Sequence, residues 1–149
     1  MAVQTAAGAK LYIGPANEDA SDLTDYEALT YTAVGEVEDL GEFGDTAATT
    51  TFTALNDRRV RKLKTTFDAG TMQLTIGRDP DDDGQIAMKA ALKADANYAF
   101  QVELSDGSSF YFRGMVSAFT TQVGNAENVV RASATIEVNS EVLEAAAGP

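Results

Sequence analysis

The chain has 149 residues, 44% of them hydrophobic, enough for about one domain with a single core. It contains no cysteine and no histidine, which excludes disulfides, thiolate metal sites, cysteine nucleophiles and the commonest general base. Eleven Lys and Arg against 23 Asp and Glu leave a net charge of −12, which repels nucleic-acid phosphates and anionic lipid surfaces.

The start, MAVQTAAGAKLYIG, has no basic segment followed by a long apolar run, and nowhere do eighteen apolar residues stand together. We therefore expect neither an export signal nor a membrane span. Residues 14–30, GPANEDASDLTDYEALT, are polar, acidic and aperiodic, and predict a long loop or a flexible, partly ordered arm. Next, AVGEVEDLGEFGD spaces glycines at 35, 41 and 44 around short apolar stretches, which suits a short strand with bulges and turns. Its carboxylates Glu36, Glu38, Asp39 and Glu42 could in principle supply an acid/base pair. The chain has no Trp to line a cleft beside them, so they read as a solvated face.

A threonine-rich strand, TAATTTFTAL, precedes an abrupt change of charge. From Leu11 to Asp57 there are eleven acidic residues and no basic one, whereas Arg58, Arg59, Arg61, Lys62 and Lys64 fall within seven positions. That basic run is a candidate contact for an anion, for RNA, or for the acidic segment of a neighbouring copy, where charge complementarity fixes register, or else it is simply a solvated loop. Leu63, Thr65 and Phe67 then lead through Asp68-Ala69-Gly70 into Met72, Leu74 and Ile76, which reads as a hairpin.

RDPDDDGQIAMKAA, residues 78–91, offers Asp79, Asp81 and Asp83 at alternate positions before Gly84, as in a calcium loop. Such a loop needs a bidentate glutamate at its twelfth position to complete the oxygen shell, and here that residue is Ala90. The stretch therefore reads as the start of a helix over 83–95, with Asp82 or Asp83 capping free backbone N–H groups and Ile86 as its first buried position.

Tyr98, Phe100, Val102 and Leu104 alternate with polar or small residues, and SDGS follows, a strong hairpin signal. The returning strand, SFYFRGMVSAF, places Phe110, Phe112, Val116 and Ala118 on one face, with Gly114 allowing a bulge or a close backbone approach. Ser108 and Ser109 beside Asp106 have no base to activate them and read as turn residues. After a polar stretch, VVRASATIEV sets Val130, Ala132, Ala134, Ile136 and Val138 against Arg131, Ser133, Thr135 and Glu137. The tail, 143–149, reads as frayed.

Taken in order, AGAKLYIG, the acidic arm, VGEVEDLGEFG, the threonine-rich strand, NDRRVRKLK, TFDAGTMQLTIGRDPDDDGQ, the Ala-rich helix, YAFQVEL, FYFRGMVSAF and VVRASATIEV resemble the tail tube proteins of long, non-contractile-tailed bacteriophages. The resemblance spans roughly Ala7 to Val142. It implies a mainly β, single-domain fold over 1–149, a β-sandwich or barrel-like domain with one flanking α-helix. It implies no enzyme activity, no cofactor and no membrane. It also implies hexameric rings that stack head-to-tail into a hollow tube, with tail tip, tape-measure and terminator proteins as partners and genome DNA passing through transiently. The protein would reside in the host cytoplasm before assembly and in the virion tail after it. Candidates for contact between subunits or rings are then Asp22 and Asp25 in the arm and Arg58, Arg59, Arg61, Lys62 and Lys64. Candidates for the lumen are Glu103 and Glu137 on polar strand faces. On this reading the 14–30 arm orders when rings stack. Two alternatives stay open: a calcium-dependent binding or adhesion module using Asp79, Asp81 and Asp83, and a related tube or capsid assembly protein.

Overall fold

The computed structural model describes Thr5 and residues 7–146. The fold is mainly β. Its strands are β1 (Lys10–Ala16), β2 (Thr32–Val34), β3 (Val37–Asp39), β4 (Thr46–Ala54), β5 (Asp57–Asp68), β6 (Thr71–Gly77), β7 (Tyr98–Glu103), β8 (Ser109–Gln122), β9 (Arg131–Val138) and β10 (Leu143–Ala145). Two helices, α1 (Leu23–Glu27) and α2 (Asp83–Lys93), complete it.

One antiparallel sheet runs β2-β1-β7-β8-β9-β6-β3, with β10 added to β8. Strands β2 and β3 are its two ends, yet only Gly35 and Glu36 separate them in the chain. The sheet must therefore curl until its ends meet, giving a sandwich-like arrangement. The ladder does not close into a barrel, because β2 and β3 are not paired with each other.

The curl encloses Leu11, Ile13, Met72, Leu74, Phe100, Phe112 and Ile136, each at most 2% exposed. Burial of each such side chain stabilises the fold by about 1.5–3 kcal/mol. Helix α2 packs on this core through Met88 and Ala91, against β8, β2 and β1. Phe43 closes the other side, its ring 5.3 Å from Phe110 and 5.6 Å from Phe112.

The β7–β8 hairpin forms as its alternation predicts, with Phe100 opposite Phe112 and Val102 opposite Phe110. Gly114 supplies the close approach: a Cβ there would lie 2.7 Å from the Glu137 carbonyl oxygen. The bulge comes later, between Val116 and Ala118. It shifts the alternation by one, so that Phe119, not Ala118, joins the core.

Two expectations are corrected. Strands β5 and β6 are consecutive but do not pair: β5 pairs only with β4, while β6 lies between β9 and β3. The physical reason is the charge on β5. Basic side chains occupy both of its faces and cannot enter a core, whereas Met72, Leu74 and Ile76 can. Ile86 is 51% exposed, because Gly84, Gln85, Met88 and Ala91 form the inward stripe of α2 instead.

The 14–30 segment, expected as a long loop or a flexible, partly ordered arm, lies against the sheet in the structure. Strand β1 runs through Ala16, and α1 lays Tyr26, 1% exposed, on Tyr111 at a ring separation of 5.8 Å. The tail is likewise paired as far as Ala145, and the remainder of the 143–149 stretch beyond Ala146 lies outside the described residues.

Candidate assembly surfaces

Strands β4 and β5 form a separate two-stranded sheet whose tip is Leu55-Asn56. Nearly every residue from Thr46 to Asp68 is exposed. Phe52, Leu55, Val60, Leu63 and Phe67 are each more than half exposed. An isolated two-stranded ribbon is at best marginally stable in water, so these apolar side chains call for a partner surface.

The ladder places Lys62 and Lys64 on one face, opposite Thr51 and Thr49, and Arg61 on the other, opposite Phe52. Arg58 and Arg59 sit in the irregular step between the Thr53–Val60 and Ala54–Asp57 pairs, next to the tip. Of the five, only Arg61 forms an ion pair among the described residues, 2.9 Å from Asp57. The structure thus gathers the basic run on one projecting ribbon, but divides it between two faces and a tip.

The arm candidates are occupied locally. Asp22 caps α1, its Oδ1 accepting from the Asp25 N–H at 2.9 Å, and Asp25 accepts from the Ser21 N–H at 3.2 Å. The segment is pinned to the sheet by Glu18, which accepts from the Asn97 N–H at 2.8 Å and from Nδ2 at 2.9 Å. Those bonds hold the Glu18 carboxyl below the usual carboxylate range. Arg113 donates to the Glu18 carbonyl, and Tyr31 donates to the Tyr26 carbonyl at 2.8 Å. Burial pushes the Tyr31 hydroxyl well above its ordinary pKa, with nearby Tyr111 and Tyr26 adding to the shift, and raises that of Tyr111, with Glu27 adding to it.

Glu103 and Glu137 both point to the outer face of the main sheet. The strand partners of Glu103 are Lys10 and Ser109, on the half covered by the 17–31 segment and β10. Glu137 belongs to the bare half, with Thr71, Gln73 and Thr75 of β6, Ser133 and Thr135 of β9, and Ser117 of β8. It accepts from Thr71 Oγ1 at 2.6 Å and Ser117 Oγ at 3.4 Å. Arg131, on the same face, pairs with Glu38 at 2.7 Å. The bare half is therefore hydroxyl- and amide-rich with little net charge beyond Glu137.

The aspartate run is a helix start. Asp82 caps α2: its Oδ2 accepts from Gln85 N–H at 3.0 Å and from Gly35 N–H at 2.9 Å. Asp79 Oδ1 accepts from the Asp81 N–H at 3.0 Å, and Asp83 lies in the first turn of α2. Among the described residues no three carboxylates form a group able to hold a metal ion. Ser108 Oγ donates to Asp106 Oδ1 at 2.6 Å within the β7–β8 turn.

Sequence reading missed Gln85. It is 1% exposed and joins three segments: its Nε2 donates to the Gly35 carbonyl at 3.1 Å and to that of Gly77 at 2.9 Å, while its Oε1 accepts from the Asp79 N–H at 3.1 Å. A polar residue on the same helical stripe as Met88 was the available signal.

A curled β core, an uncovered basic and apolar ribbon, and aspartates engaged in helix caps define an assembly module. The chain belongs to the phage tail tube protein family, whose profile, described as phage tail tube protein, TTP, matches residues 15–147. Membership of that family makes it a structural, tube-forming protein.

Solved structures with the same fold include a chain of the six-fold symmetrised baseplate of the anti-feeding prophage, at a TM-score of 0.70 and 9% identity over 100% of both chains. A second is a chain from the tail of an empty gene transfer agent particle with C6 symmetry. Its TM-score is 0.69 at 13% identity, over 97% of this chain and 100% of that one. A third is a chain from the sheath/tube terminator of an extracellular contractile injection system, at 0.67 and 10% identity over 98% and 99%. At such identities the likeness is one of fold. No curated protein is a significant sequence match.

Proposed function

We propose that this chain builds the tail tube of a phage with a long, non-contractile tail, as hexameric rings stacked head-to-tail, and that genome DNA leaves through the lumen during ejection. The observation that carries this reading is the β4–β5 ribbon, whose five exposed apolar side chains find their cover on another copy. The six-fold symmetry described for two of the similar assemblies supports rings of six. Tail tip, tape-measure and terminator proteins are the partners such a tube requires, with the host cytoplasm as the place of synthesis and the virion as the destination.

Arg58, Arg59, Arg61, Lys62 and Lys64 are assigned to contacts between copies, facing acidic surface that includes Asp22 and Asp25. The ribbon from Thr46 to Asp68 carries five basic and two acidic side chains, a net of +3, which leaves −15 on the rest of the chain. Ribbon and body therefore attract each other between copies. Glu137 is assigned to the lumen, with Glu103 as the second candidate. Six copies carry about −72, a charge that keeps DNA off the wall.

The test is electron microscopy of the purified protein at high concentration, beside a variant in which a short Gly-containing turn replaces residues 46–68. The full chain forms rings and hollow tubes, and the shortened one stays a folded monomer. A full chain that remains monomeric at every concentration overturns the reading, and a shortened one that still makes tubes overturns the assignment of the ribbon to contacts between copies.

A further inference from the structure

The root of the ribbon bears a cleft of about 660 Å³. Ala69 and Val138, both buried, form its floor, Phe67 stands at its side, and the exposed carboxylates Asp45, Asp68 and Glu141 rim it. This volume lies within the roughly 300–1,000 Å³ of clefts that enclose a compact ligand. At the far end of the same ribbon, Leu55 is fully exposed, with Arg58 and Arg59 beside it and no ion pair to either among the described residues. One end thus presents an apolar knob with two cations, and the other an apolar hollow with three carboxylates.

We propose that the ribbon tip of one copy seats in the root cleft of the next, Leu55 covering Ala69 and Val138 while Arg58 and Arg59 meet Asp45, Asp68 and Glu141. The contact cannot form within one chain. Thr46 to Ala54 spans nine residues, about 27 Å of strand at roughly 3.4 Å per residue, and holds tip and root apart. The two surfaces differ, so the contact is head-to-tail and repeats from copy to copy without closing on a pair. Desolvation by the apolar floor strengthens the charge pairs that form around it. The inference rests on the tube reading and adds the receptor for the ribbon.

Because the chain has no cysteine, a pair of introduced ones reports the contact cleanly. In the double variant Asn56→Cys/Asp45→Cys, mild oxidation of assembled protein should give a ladder of covalent multimers on a denaturing gel. Each single variant should give dimers at most. A disulfide needs Cα atoms within about 7 Å, which excludes a link inside one copy. Microscopy of the same samples separates the two readings. Tubes without a ladder overturn the cleft proposal and leave the tube standing, whereas absence of both tubes and ladder overturns both.

Charge reversal supplies an independent arm. Arg58→Glu/Arg59→Glu and Asp45→Lys/Glu141→Lys should each raise the concentration needed for assembly at least tenfold with unchanged circular dichroism. The chain carrying all four substitutions should recover most of the loss. A cleft-reversed variant that assembles like the parent overturns the proposal.

Discussion

Gln85 fastens the seam where the curled sheet brings its ends together. Its amide holds Gly35 between β2 and β3, Gly77 at the end of β6, and the backbone before α2. Replacement by leucine strands two carbonyls and one N–H in a buried place. At about 1–3 kcal/mol for each unsatisfied group, partly relieved by relaxation, Gln85→Leu should cost about 3 kcal/mol in chemical denaturation. The neighbouring Ile86→Ala, at an exposed position, should change stability by less than about 0.5 kcal/mol. Equal losses at the two positions would contradict this assignment of the helix face. Apolar character alone favours Ile86 as the buried residue, and Gly84 decides otherwise. A Cβ at Gly84 would lie 2.2 Å from the Ala33 carbonyl oxygen, so the helix comes against β2 on that side and turns Ile86 outward.

Among the elements, the β7–β8 hairpin was legible because strict alternation, an Asp-Gly turn and a buried face all pointed to one register. The β4–β5 ribbon was not. Its tip, Leu55-Asn56, lacks glycine, whereas Asp68-Ala69-Gly70 looks like a turn and instead leads the chain from the ribbon into the main sheet. Charge on both faces of β5 held the information that the turn residues obscured. In the 14–30 segment, too, polar residues obscured the inward ones. Its polar surface conceals four inward residues, Ala20, Leu23, Tyr26 and Leu29, of which only Ala20 and Tyr26 are fully buried. Its tyrosine cluster makes a pH prediction. Tyr31 and Tyr111 have raised pKa values in the fold, so their contribution is complete below the unfolded value of about 10 and is lost as pH climbs toward the folded values. Stability should therefore fall above about pH 10, with two of the five tyrosines ionising late by ultraviolet absorbance. Tyr31→Phe should flatten that fall, and an unchanged alkaline limb would sink the assignment.

For the whole molecule, a net charge of −12 can keep DNA from a wall only if the face lining the lumen offers no compensating cations. The bare outer face of β6, β9 and the second half of β8 meets that condition: Arg131 there is paired with Glu38, and Glu137, half-buried beside Met115, accepts from the Thr71 and Ser117 hydroxyls. Hydroxyl and amide groups still hydrate the surface, so phosphates slide past without a fixed counter-ion. If this face lines the tube, Glu137→Lys changes six sites per ring from repulsive to attractive. Counter-ion release then makes retention steeply salt-dependent. Short labelled duplexes should co-sediment with Glu137→Lys tubes at about 50 mM salt, leave them by about 200 mM, and ignore the parent tube at both. Glu103→Lys distinguishes the alternative, because Glu103 shares the outer face of β7–β8 with Ala99 and Tyr111, on which the 17–31 segment packs. Retention by Glu103→Lys tubes with none by Glu137→Lys tubes would turn the covered half inward and would require that segment to leave the sheet on assembly. Retention by Glu137→Lys alone fixes the polar strands at the lumen and leaves the anchored segment at the outside of the ring.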